Sequence, residues 1–139
     1  MTGFERAAVA LIYNLYHSRK AHKEPIVNRF FTIATYNDNQ ELKVERIFKV
    51  RTVSGTSFDL VWEERNKYRV YNSTHITKDS TIILTEERPY ERLEIERLDS
   101  TRAEGIAAKY YFTLEPYSYD TVKAYDKEHN RTYTYKITG

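Results

Sequence analysis

The sequence predicts an α+β fold: one long N-terminal α-helix packed against an extensive, curved antiparallel β-sheet, a meander that becomes barrel-like if it curls far enough. Three observations predict it. An apolar, helix-favouring stretch opens the chain; from Ile26 onward β-branched and aromatic residues come in short runs; turn-forming residues separate those runs at short intervals.

The helix comes first. Thr2-Gly3-Phe4-Glu5 has the T-x-x-E form of a capping box and leads into "RAAVALIYNLY". The helix is expected from about 3 to 22, and Pro25 prevents it from running much further. At 100° per residue it carries two stripes. Phe4, Ala8, Leu11 and Leu15, with Ile12 beside them, form a conventional core face. Roughly opposite lie Arg6, Val9, Tyr13, Tyr16 and Lys20, aromatic in the middle and cationic at both ends, with Lys23 just beyond.

The strands follow. Candidates are 26–36, 41–53, 58–64, 67–72, 81–86, 90–98, 109–115, 119–125 and 132–138, separated by "NDNQ", "SGTS", "RN", "KDS", "RP" and "DKEHN". Asp99-Ser100-Thr101 is expected to cap a short helix reaching Ala108. Alternation places Leu42, Val44, Phe48 and Val50 on one face, likewise Phe58, Leu60 and Trp62, Ile82 and Leu84, Leu93 and Ile95, and Tyr133, Tyr135 and Ile137. With no repeat, low-complexity tract or Gly/Ser linker, the 139 residues read as a single domain, 1–139.

Composition bounds the function classes. Hydrophobic residues are 40% and charged residues 30%, which is globular rather than disordered. The longest apolar stretch, Ala7–Tyr13, is too short to span a bilayer, and the N-terminus lacks the basic start of a signal peptide. No membrane association is expected, and the expected compartment is the cytoplasm. Two Asn-x-Thr sequences, at Asn72 and Asn130, match the glycosylation pattern at a frequency chance explains. The absence of cysteine removes disulfides, thiolate metal sites and thiol nucleophiles. Thirteen Tyr, one Gln and one Met beside abundant Glu, Arg and Lys make a thermophile-like balance, shared with small proteins of hyperthermophilic archaea and their viruses. Net charge is only +2, but residues 1–36 hold five Arg/Lys against two Glu, so positive charge gathers at the N-terminal end.

Function is therefore sought on the second helix stripe. Three readings compete: the sheet wraps far enough to bury it, with Arg6 and Lys20 snorkelling; it forms a seam against a partner helix, most economically in a homodimer; or its tyrosines and cations contact nucleic acid, Arg6, Lys20 and Lys23 on phosphates and Tyr13 and Tyr16 in stacking. An unidentified protein partner stays open. The expected function is a small non-catalytic binding protein, self-associating and contacting nucleic acid through this stripe, with no cofactor.

Enzymatic readings have less material. P-loop, dinucleotide and nucleophile-elbow motifs are absent, and four glycines cannot supply a phosphate-cradling loop. The alternative is a divalent-metal-dependent nuclease, with Mg²⁺ held by inward strand-end carboxylates, Glu86 after Ile82 and Leu84, and Glu64 after Trp62. Pairing Phe48 with Trp62 is expected to set Arg46 opposite Glu64. Glu41-Leu42-Lys43 has the E-x-K spacing of one nuclease class, a triplet common by chance. No residue is assigned as a transition-metal ligand: His17 and His22 diverge by about 140° on a helix, and His75 and His129 are isolated. A small-ligand carrier, enclosing its ligand in the curved sheet, is the remaining class.

Overall fold

Gly3–Tyr13 form α1, which continues as one π-helical turn over Asn14–Ser18. These coordinates are a computed structural model. It describes residues 3–20, 23, 26–54, 57–64, 67–76, 81–85, 92–96, 101–104, 109–110, 112–126 and 129–139, with side-chain surroundings for 3–20, 23, 26–53, 57–62, 70, 112, 114–126 and 129–139. The Thr2 half of the capping box lies outside them. The helical segment ends at Ser18, short of residue 22: the amide of Arg19 donates to the carbonyl of Asn14 at 2.9 Å, five residues back, and Lys20 turns into the left-handed region at φ 56°.

The strands are β1 (Val27–Tyr36), β2 (Leu42–Ser54), β3 (Ser57–Glu64), β4 (Lys67–Ile76), β5 (Thr81–Thr85), β6 (Arg92–Glu96), β7 (Thr101–Glu104), β8 (Lys109–Tyr110), β9 (Phe112–Ser118), β10 (Thr121–Asp126) and β11 (Arg131–Thr138). Every pairing is antiparallel, and the order across the sheet is β8-β7-β6-β5-β4-β3-β2-β1-β11-β10-β9. The first and last strands therefore pair, Thr32 with Thr138 through Tyr36 with Thr134. Chain order is followed around the sheet in both directions from that seam. β8 and β9, neighbours in sequence, end up as its two edges, so the sheet does not close into a barrel.

The sheet bends around α1. Phe31 and Ile33 (β1), Phe48, Val50 and Val53 (β2), Phe58, Leu60 and Trp62 (β3), Phe112 and Leu114 (β9), Val122 and Ala124 (β10) and Tyr135 and Ile137 (β11) all face the helix and are buried. The middle of both helix stripes disappears beneath them: Ala7 through Ile12 are each 0% exposed, and Tyr13 is 1% exposed. A helix apolar on every side is a helix enclosed on every side.

Three expectations are corrected. Thr101–Glu104 is strand β7, paired with β6 and β8, where a helix was expected to reach Ala108; cross-strand pairing overrides the capping signal. The 109–115 and 119–125 strands shift, because Tyr119-Asp120 forms the turn and β9 continues through Pro116, which its edge position tolerates. Leu42 faces outward and is half exposed. A bulge between Thr35 and Tyr36 pairs Val44 with Thr35 but Leu42 with Tyr36, so one extra residue in β2 moves Leu42 to the other face.

Candidate functional site

The predicted stripe is taken apart by the fold. The Tyr13 ring is enclosed and meets His17 at 4.5 Å between centroids; Tyr16 is half-buried against the core and meets the same imidazole edge-on at 4.9 Å. Arg6 is largely covered, its guanidinium 5.0 Å from the centroid of Tyr133 and 3.9 Å from Asp126. Only Lys20 and Lys23 are exposed, in the turn after the helix where the Lys23 amide donates to the Lys20 carbonyl. Stacking a base on Tyr13 would require unpacking the core.

Each end of α1 is closed by an arginine. At the C-terminal end Arg19 Nε donates to Asn14 Oδ1 at 2.7 Å, its Nη2 to Asp120 Oδ1 at 3.0 Å and to the Ile137 carbonyl at 2.9 Å, and its Nη1 to the Gly139 carbonyl at 3.2 Å. The same guanidinium lies over Phe31 and Tyr119, and Asn14 Nδ2 donates to the Tyr119 carbonyl at 2.8 Å. At the N-terminal end Arg6 sits among Asp126, Tyr133 and Tyr135, and Arg46 packs against Gly3, where a Cβ would meet its Nη2 at 2.7 Å. Burial pushes the Tyr135 hydroxyl well above the usual tyrosine range, with Arg6 opposing in part. Asp126, buried, accepts from the His129 amide at 3.3 Å and lies 2.8 Å from its Nδ1, so this histidine is tethered across the turn rather than isolated. These groups fasten the helix within the sheet.

The chemistry that the stripe was expected to carry appears on the outer face of the sheet. Along β10, Val122, Ala124 and Asp126 point inward, so Lys123 and Tyr125 point outward. Register carries that face across four strands: Glu115 opposes Lys123, Lys123 opposes Thr134, and Thr134 opposes Tyr36. Lys123 Nζ lies 4.0 Å from the centroid of Tyr117, and Lys136 Nζ lies 5.4 Å from that of Tyr36. Tyr117 is 66% exposed and Tyr125 is 39% exposed. The Tyr125 hydroxyl donates to Asn130 Oδ1 at 2.7 Å, which fixes its ring. Between these side chains a depression of about 310 Å³ is lined by Glu115, Lys123, Ala124, Tyr125 and Thr132. Further along, Lys49 lies over the exposed ring of Phe30 at 5.8 Å.

The carboxylates of the nuclease reading fall where the structure describes no side chain. Glu86 lies outside the described residues. Glu64 ends β3 opposite Lys67, and nothing is described of its side chain. Phe48 does pair with Trp62, the last rung of the β2–β3 ladder, and on its other edge β2 sets Arg46 opposite Ile33 of β1. Among the described residues no group of three or more His, Asp or Glu is placed to hold a metal ion, and no helix is long and apolar enough to cross a membrane.

Sequence reasoning therefore missed Tyr36, Tyr117, Lys123, Tyr125 and Lys136. For Lys123, Tyr125 and Lys136 the signal was the polar half of the alternation in "TVKAYD" and "RTYTYKIT". The chain matches no family model, no curated protein and no solved structure, so its functional reading rests on this geometry alone.

Proposed function

We propose that this chain is a non-catalytic binding protein that holds single-stranded nucleic acid on the outer face of β9, β10, β11 and β1. One observation carries the reading: exposed Tyr117, Tyr125 and Lys136 share this face with half-buried Tyr36 and Lys123, and Lys123 and Lys136 each lie over a tyrosine ring. Bases present π-faces that stack on such rings, contributing about 1–3 kcal/mol per base, and the ammonium groups meet the phosphates.

Magnitudes decide the character of the binding. Lys49, Lys123 and Lys136 share the face with Glu45 and Glu115, so its net charge is small. Three phosphate contacts on a single strand give a slope of log K against log salt of only about −2. Stacking, not charge, supplies most of the affinity. A duplex, whose bases are paired and stacked on one another, has nothing to offer these rings.

The test is fluorescence anisotropy of labelled oligouridine and oligothymidine with the full chain. Binding of both single strands and not of duplex, lost in a Tyr117→Ala/Tyr125→Ala variant that remains folded, supports the reading. Equal binding by that variant, or no binding at low salt, overturns it.

A second reading has its own observation. Phe30 on β1 and Ile47 on β2, each more than half exposed, are diagonal neighbours on the outer surface. An apolar cluster of this kind supports self-association beside the nucleic-acid face.

A further inference from the structure

The depression on the outer face has a polarity that discriminates among bases. Its lining alternates acceptor, donor and ring: the carboxylate of Glu115 on β9, the ammonium of Lys123 directly opposite on β10, and the Tyr125 ring one outward position further along β10. Thr132, register partner of Tyr125 on β11, closes the remaining side. At about 310 Å³ the hollow lies at the small end of the range of ligand sites, suited to one planar group rather than a large ligand.

A carboxylate accepts and does not donate, and its two oxygens are best used by two adjacent N–H donors. Along the pairing edges of the nucleobases, guanine alone offers that pair, N1–H beside the N2 amine, with the O6 acceptor next to them. Adenine and cytosine each set a single amine beside an acceptor nitrogen, which a carboxylate oxygen would repel. Uracil and thymine flank one N–H with two carbonyl oxygens. Guanine's order of one acceptor and two donors therefore matches Lys123 followed by Glu115.

Two features hold the site ready. Among the described residues no ion pair engages Glu115, so its oxygens are available as acceptors. The bond from the Tyr125 hydroxyl to Asn130 orients the ring before any ligand arrives, lowering the ordering cost of stacking.

We propose that this depression is a guanine-reading subsite: a base lies against Tyr125, Glu115 accepts from guanine N1–H and the N2 amine, and Lys123 donates to O6. It rests on the reading of the outer face as a single-strand surface and makes that surface base-selective. The recognised group is the guanine base, in RNA or DNA.

The experiment compares short oligouridine strands carrying one central guanine, inosine, adenine or cytosine, and the matched oligothymidine strands, by anisotropy with the full chain and with Glu115→Gln. An amide offers one acceptor and one donor, and position 115 is exposed, so this substitution leaves the fold intact. The expected result is about tenfold tighter binding of the guanine strand than of adenine or cytosine strands. Inosine, which lacks the N2 amine, falls between. Glu115→Gln should erase the preference while binding unsubstituted oligouridine as before. Binding of all strands without preference, or a preference that survives Glu115→Gln, overturns the guanine subsite and leaves the single-strand surface standing. Failure of every strand to bind defeats both.

Discussion

Arg19 donates its Nε–H to Oδ1 of Asn14 at 2.7 Å, across the π-helical turn that ends the helix. The two residues lie five apart, and the wider turn brings the guanidinium back over the amide while its other nitrogens reach Asp120 and the end of β11. Arg19 is largely covered and Asp120 is mostly exposed, so the arginine and not the ion pair carries the stabilisation. Arg19→Met removes the donor to Asn14 Oδ1 and to the Ile137 carbonyl, while Arg29 still donates to Gly139, and should cost about 2–4 kcal/mol in urea denaturation. Asp120→Asn should cost less than about 1 kcal/mol.

Enclosure of the second stripe is checked at Tyr13. As a core ring it should cost about 3–5 kcal/mol when replaced by alanine, judged by denaturant midpoint. Lys20→Ala, in the exposed turn, should stay within about 0.5 kcal/mol. Equal, small effects at both positions would mean that the stripe is presented rather than packed.

Tyr135 makes stability fall in alkali. Its folded-state pKa is raised above the unfolded value of about 10, chiefly by burial. Below pH 10 both states keep the proton and stability is unaffected; above it the unfolded chain releases the proton and the folded chain retains it. The contribution is therefore lost as pH rises from 10, at up to about 1.4 kcal/mol per pH unit. Tyr135→Phe should flatten the fall in urea midpoint by that one-proton slope between pH 10 and 11.

Lysine and tyrosine on the outer face should separate by salt. Lys123→Ala should reduce the slope of log K against log salt for oligouridine by about 0.7. Tyr125→Ala should weaken binding by about 1–3 kcal/mol at every salt concentration and leave the slope unchanged. Anisotropy titrations across a salt series measure both.

The apolar cluster on β1 and β2 is tested by mass. Light scattering coupled to size exclusion should show a species larger than the 16.6 kDa chain, reduced to that mass by Phe30→Asp with Ile47→Asp. An unchanged monomer mass in the parent chain sinks the self-association reading.

Much of the architecture was legible because its signals are local. The apolar density of "RAAVALIYNLY" and the alternation of Phe58, Leu60 and Trp62 each act within a few residues, and the Phe48–Trp62 pairing follows from the hairpin between them. What the sequence hid was decided at a distance. Val9 and Tyr13 read as a separate face until β9, β10 and β11 return to cover them. Leu42 read as core until a bulge against Tyr36 reversed it. The outer patch was hidden differently: Tyr36, Tyr117 and Tyr125 are scattered over ninety residues, and only the order β1-β11-β10-β9 makes them neighbours.

That same order sets a timetable. α1 leaves the ribosome ahead of every strand that packs on it, yet part of the wall that covers it, β9 to β11, lies about a hundred residues downstream. Loop closure over that separation is slow compared with helix formation. Until then only β1 to β3 can shelter the helix, and the seam between β1 and β11 is the step that completes its enclosure.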